Sequence, residues 1–158
     1  MKIPLFIEIP DPQTGSGLTV QHLETTAELV TAIPISIGSQ PANSREVYGI
    51  NLPDLKVGDI LQITSQVELT TPYTYNCMVG RYLKLGAISN VTKWCAENLI
   101  PAVHHGVYTT NRQYKITANM VAPRLSLMMY AAAANALANQ NLVVEQGYGH
   151  LDVVILKS

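Results

Sequence analysis

His104 and His105 stand side by side in the stretch Val103 to Met120. Imidazole is the side chain best suited to hold a transition metal or to change charge near neutral pH. One ion, however, wants ligands that converge. Adjacent residues on a strand point to opposite faces, so the two rings diverge. A spacing of His-x-His with a further His or carboxylate would meet the ligand number, and the pair does not. Strand alternation puts Val103, His105 and Val107 on one face, expected to pack inward. It puts His104, Gly106 and Tyr108 on the other, toward solvent or a neighbouring subunit. If either ring has a role, its protonation at an interface fits better than metal binding. His22 and His150 complete the four histidines.

The other chemistry-bearing residues are scattered. Cys77 and Cys95 are the two cysteines. They read as buried thiols, with a pairing left open. Asn90-Val91-Thr92 matches the glycosylation acceptor pattern, with no export signal to accompany it. Gly15-Ser16-Gly17 lacks the lysine and following helix of a phosphate loop. No Gly-x-Ser-x-Gly elbow, His-Glu-x-x-His or Cys-x-x-Cys occurs. Asp11, Asp54, Asp59 and Asp152 fall at turns and strand edges, where turn formation accounts for most carboxylates. The eight tyrosines and Trp94 suit strand faces and a contact surface. No catalytic, cofactor-binding or metal-ligating residue is assigned.

Composition narrows the classes. The chain has 158 residues, enough for one domain spanning 1–158. It is 47% hydrophobic and 13% charged, about half the usual charged share. Such a chain builds a core, and either covers its surface with Ser, Thr, Asn and Gln or buries part of it in an oligomer. A formal charge of -1 with no basic cluster gives no footprint for nucleic acid. The apolar start is short and broken by Pro4, Glu8 and Pro10, so no signal peptide is recognised and none is expected. No stretch reaches the roughly 20 apolar residues of a membrane span.

Hydrophobic periodicity sets the elements. Leu61, Ile63, Ser65, Val67 and Leu69 alternate with Gln62, Thr64, Gln66 and Glu68, which predicts a strand with one buried and one wet face. Strands are also predicted at Ile3 to Ile9, in the first part of Leu18 to Val30, at Ile33 to Ile37, Val47 to Asn51 and Tyr73 to Leu85. Gly80 is a candidate bulge in the last of these. Gly86 to Pro101 reads as a long loop with an apolar insertion around Trp94. Val103 to Met120 reads as a hairpin, turning at Thr109-Thr110-Asn111-Arg112. Arg124 to Ala138 has helix-forming residues, but Pro123 and the alternation of Leu125, Leu127 and Met129 favour a buried strand before an Ala-rich turn. Leu142 to Glu145 and Leu151 to Leu156 are the last strands. The pattern predicts an all-β fold, an antiparallel β-sandwich of jelly-roll type.

The segments TPYTYNCMVGRYLKLG, VHHGVYTTN, QYKITANM and GYGHLDVVIL resemble small jelly-roll virion structural proteins of tailed phages, particularly those infecting marine cyanobacteria. More distantly they are similar to tumour-necrosis-factor-like and complement-C1q-like jelly rolls. The likeness covers roughly the last hundred residues and holds no catalytic motif. It implies a structural or adhesive protein, without cofactor, that forms a homo-oligomer, with a trimer favoured and other virion proteins as further partners. Gly147-Tyr148-Gly149-His150-Leu151 would lie near the symmetry axis. The expected place is the virion or the host cytoplasm, with neither nucleic acid nor membrane as a partner.

The first reading is thus a non-enzymatic particle component. A carbohydrate- or ligand-binding module on the same fold, using tyrosines and Trp94, ranks second. A cupin-like metalloenzyme using His104 or His105 with His22 or His150 ranks third.

Overall fold

The computed structural model describes residues 6–10, 17–37, 44–70, 77–89, 95–100, 105–133 and 141–158. The strands are β1 (Phe6–Pro10), β2 (Gly17–Thr25), β3 (Ala32–Ile37), β4 (Arg45–Asn51), β5 (Ile60–Thr70), β6 (Cys77–Leu85), β7 (Ile88–Ser89), β8 (Cys95–Ile100), β9 (His105–Lys115), β10 (Arg124–Ala133), β11 (Asn141–Val144) and β12 (His150–Leu156). Among the described residues no helix is long and apolar enough to cross a membrane.

Two sheets face each other. The first runs β1-β2-β12-β5-β9, with β11 continuing along the β5 edge that β12 occupies. The second runs β4-β10-β6-β8, with β7 also on β6. The chain alternates between them: β4 to β5, β5 to β6, β8 to β9, β9 to β10 and β10 to β12 each change sheet. This is the double Greek-key path of a jelly roll. Strand β3 joins the sheets, pairing antiparallel with β11 through Ala32 to Pro34 and parallel with β10 through Ile35 to Ile37. The sandwich is therefore antiparallel, as expected, except for that short parallel pair.

Strand alternation builds the core. Leu61, Ile63, Val67 and Leu69 of β5 and Leu151, Val153 and Ile155 of β12 are buried against Leu83 and Leu85 of β6 and Leu125, Leu127 and Met129 of β10. Each such side chain contributes about 1.5–3 kcal/mol of burial. Ser65, 3% exposed, is the polar member of the β5 row. Arg124 to Ala133 is a strand despite its helix-forming residues, because its partners β4 and β6 take both of its edges. Gly80 is explained by close packing: a Cβ there would collide with the Tyr130 ring lying over it. A register irregularity does fall beside it, between Met78 and Val79.

Three expectations are corrected. Val103 to Met120 is not a hairpin: β9 runs unbroken from His105 to Lys115, and every one of its residues pairs with β5. Thr109, Asn111, Arg112 and Gln113 are exposed, so their polarity reflects an open strand at the side of a sheet rather than a turn. The facing is also reversed. Val107 is 56% exposed and Tyr108 is 7% exposed. Finally, Gly86 to Pro101 is not simply a loop, since it contains β7 and β8. β8, with the sequence CAENLI, lacks clean alternation and so gave no strand signal.

The register answers the cysteine question left open above. Cys77 lies opposite Ile100 and Cys95 opposite Arg81 on neighbouring strands. Four rungs separate them, or roughly 13 Å at strand rise. Their backbones are beyond the reach of a disulfide within one chain.

Candidate functional site

Residues that alternate away from the core form a polar outer face on the first sheet. Opposite each other in register are Val154 with His22 and Gln62, and Gln62 with Gln113. The next rung aligns Glu24, Asp152, Thr64 and Asn111. The four strands β2, β12, β5 and β9 thus deliver carboxylate, imidazole, amide and hydroxyl groups to one surface. Their backbones are held by ladder hydrogen bonds, so the side chains stand on a rigid support.

A groove of about 660 Å³ crosses this face. His22, Gln62, Thr64, Asn111, Gln113 and Asp152 line it, with Arg112 at its side. At one wall His22 Nε2 lies 2.7 Å from Asp152 Oδ1. The side chains are 37% and 26% exposed, so this is a half-buried pair that solvent reaches. Glu24 completes a cluster in which the ligand atoms of His22, Glu24 and Asp152 all lie within 4.8 Å of one another.

A second constellation holds the far end of the sandwich. Asp59 is 1% exposed. Its carboxylate accepts hydrogen bonds from Lys56 N at 2.9 Å, Ser158 N at 2.9 Å and Lys157 Nζ at 3.1 Å. Burial alone would raise its pKa. The two backbone donors and the Lys157 ammonium outweigh that, so Asp59 titrates below the usual carboxylate value. Nearby Asp54 Oδ1 accepts from Ala122 N at 2.9 Å, and Ala122 has a left-handed φ of 38°. Asp59 is a turn-forming carboxylate, as expected, through its bond from Lys56 N; Asp54 instead ties its segment to the distant Ala122, and Asp152 is mid-strand and belongs to the outer face.

At the opposite end, Tyr48 donates to Glu28 Oε1 at 2.8 Å, and that oxygen also accepts Gly147 N at 3.0 Å. Burial, then the hydrogen bond and charge of Glu28, push the Tyr48 phenol well above its ordinary pKa. Gly149 lies against the Tyr48 hydroxyl and the Gln66 carbonyl, and no Cβ fits there. The Gly-Tyr-Gly segment is thus tied to the β2–β3 connection through Glu28 and to β4 through Tyr48, with Tyr148 66% exposed.

Of the residues singled out in sequence, His22 and His150 occupy the same outer face. His22 lies opposite Val154, four residues from His150, a separation of roughly 13 Å along the strand. Those two alone do not share an ion. His104, Trp94, Asp11, Asn90 to Thr92 and the side chains of His105, Cys77 and Cys95 lie outside the described residues. The cluster that sequence reading missed is His22-Glu24-Asp152. The spacing His22-x-Glu24 put two ligating groups on one face of a strand, and that signal was present. Asp152, 130 positions away, could be found only from strand order.

No protein-family model matches the chain, and no curated protein matches it. Among solved structures, the chain is similar to T=1 particles derived from infectious bursal disease virus, with a TM-score of 0.63 and 14% identity over 97% of this chain and 36% of that one. It is likewise similar to a mutant VP2 protein of that virus in T=1 particles, with a TM-score of 0.62 and 14% identity over 99% of this chain and 37% of that one. The T13 particle of the same virus matches with a TM-score of 0.55 and 13% identity over 98% of this chain and 40% of that one. The chain spans about two fifths of the length of the chains it matches. At these identities the likeness establishes a fold: the all-β jelly roll seen in viral capsid proteins.

Proposed function

We propose that the protein is a non-enzymatic structural component of a virion, assembling through contacts with copies of itself or with other particle proteins. The observation that carries this reading is the fold likeness to capsid jelly rolls over 97–99% of the chain. Two surface features support it. Leu29 is 50% exposed and Tyr148 66% exposed, on loops tied together by Glu28 and Gly147. At the other end Val57 is 56% exposed and Val121 86% exposed, on segments joined by the Leu55 and Met120 bridge. Apolar groups at both ends of a weakly charged sandwich suit lateral contacts in a shell. A trimer is the favoured unit, with the Gly147 to Leu151 segment near its axis. The narrower kinship with tailed-phage proteins belongs to the same proposal, and the virion is the corresponding location.

Light scattering of the purified chain at micromolar concentration tests the reading. Trimers or larger particles are expected, and the paired substitutions Leu29→Asp with Tyr148→Asp, or Val57→Asp with Val121→Asp, should shift the mass toward the monomer. A wild-type chain that stays at 17.2 kDa throughout would overturn it.

The groove favours a second reading, a carbohydrate- or ligand-binding module. Its amide, hydroxyl and carboxylate lining suits sugar hydroxyls. A glycan array with no hit would remove it.

A further inference from the structure

We propose that His22, Glu24 and Asp152 bind one divalent first-row transition ion, of which Zn²⁺ is the type, at the wall of the groove. Three observations converge. First, His22 and Glu24 are two residues apart on β2, so both project to the outer face, and Asp152 lies directly across from Glu24 on β12. The three ligand atoms lie within 4.8 Å of one another. Ligand atoms around a tetrahedral ion with bond lengths near 2.0–2.2 Å are separated by roughly 3.3–3.6 Å. Reaching that spacing parts His22 Nε2 from Asp152 Oδ1, now 2.7 Å apart, and closes the wider pairs by up to roughly an ångström, shifts that rotamer changes of half-exposed side chains supply.

Second, the register places two carboxylates directly opposite each other on adjacent strands. Like charges in that position are destabilising. A cation between them draws both carboxylates, and the His22 ring already beside Asp152, into one ligand set. Third, the remaining coordination positions have somewhere to open, since His22 and Asp152 are also groove-lining residues. An imidazole with two carboxylates and open positions suits a borderline ion such as Zn²⁺, Co²⁺ or Mn²⁺. It suits Ca²⁺ and Mg²⁺ poorly, because those prefer all-oxygen sites. The inference is independent of particle assembly, because all three ligands belong to one chain and one sheet.

The test uses the full chain stripped with EDTA and titrated with Zn²⁺ by calorimetry and with Co²⁺ by visible absorption. One ion per chain is expected, with Co²⁺ bands reporting a nitrogen and oxygen ligand set. Removing a ligand by His22→Ala or Asp152→Ala should weaken binding by at least roughly tenfold, since even outer-sphere changes do that much. Glu24→Gln provides a milder variant should an alanine variant misfold, with circular dichroism confirming the fold of each. His150→Ala should bind like wild type. Binding of Zn²⁺ that survives His22→Ala, loss of binding in His150→Ala alone, or no binding of either ion by the wild-type chain would overturn the site.

Discussion

Asp59 and Asp152 are carboxylates of one jelly roll, each near a basic side chain, and their surroundings differ completely. Asp59 sits where the turn before β5 meets Lys157 and Ser158, and it accepts from two backbone N–H groups and an ammonium. Asp152 stands mid-strand on an open face, 2.7 Å from a histidine and across from a second carboxylate. The distances are alike, so distance does not distinguish the two. Donor number and burial do. A buried carboxylate saturated with donors is a structural joint, whereas a half-exposed one beside other ligating groups is available for exchange with a bound species.

The largest effect should come from breaking the joint. Asp59→Ala strands two backbone N–H groups and leaves Lys157, whose side chain is 25% exposed, without its carboxylate. A loss of about 3 kcal/mol is expected in urea denaturation. A loss below about 1 kcal/mol would mean that water satisfies those donors, and the two carboxylates would then not differ in kind.

The same joint should set the acid limit of the fold. The folded carboxyl of Asp59 titrates below its unfolded value. Its contribution is therefore complete above the ordinary carboxyl value of about 3.9 and is lost as pH falls through the lower folded value. Stability against urea should thus drop more steeply below about pH 4 in wild type than in Asp59→Ala. Parallel curves would show that Asp59 does not carry the acid limb.

Between the extremes lies Glu46, which accepts from Arg124 Nε at 2.7 Å and from Ser126 Oγ at 2.8 Å on the outer side of the second sheet. Arg124 is 41% exposed, so solvent screens the pair. Arg124 also donates to Asn51 Oδ1 at 2.9 Å, so Arg124→Ala should cost about 1 kcal/mol, less than Asp59→Ala and more than Asp152→Ala. The order of the three losses, measured in one buffer, is the check.

How far sequence reading reached follows the same division between local pattern and tertiary pairing. β5 was legible because every odd position from Leu61 to Leu69 is buried and every even one is not. β10 was legible because Pro123 and the Leu125, Leu127, Met129 alternation outweighed helix propensity. β9 was misread because the middle of the strand is polar on both sides, and Thr-Thr-Asn-Arg has the composition of a turn. The jelly-roll class needed only strand count and punctuation, whereas the face of each strand needed its partners. Thus Tyr108, and not Val107, packs inward. The His22-Glu24 half of the candidate site was written in local spacing. Its other half required β12 to lie beside β2, which no local pattern records.

The smallest expected effect is the sharpest test of the open site. In EDTA, Asp152→Ala should cost no more than about 0.5 kcal/mol, because a solvent-reached His and Asp pair gains little beyond what water offers. The loss is reduced further by relief of the repulsion between Asp152 and Glu24, which face each other on adjacent strands. Double-mutant cycles of Asp152→Ala with His22→Ala and with Glu24→Gln separate these terms. The coupling between His22 and Asp152 should be favourable and about 0.5 kcal/mol, while that between Glu24 and Asp152 should be of opposite sign. A coupling of His22 with Asp152 above about 2 kcal/mol would place the pair with Asp59 as a structural joint, because only a desolvated, geometrically fixed pair reaches that size.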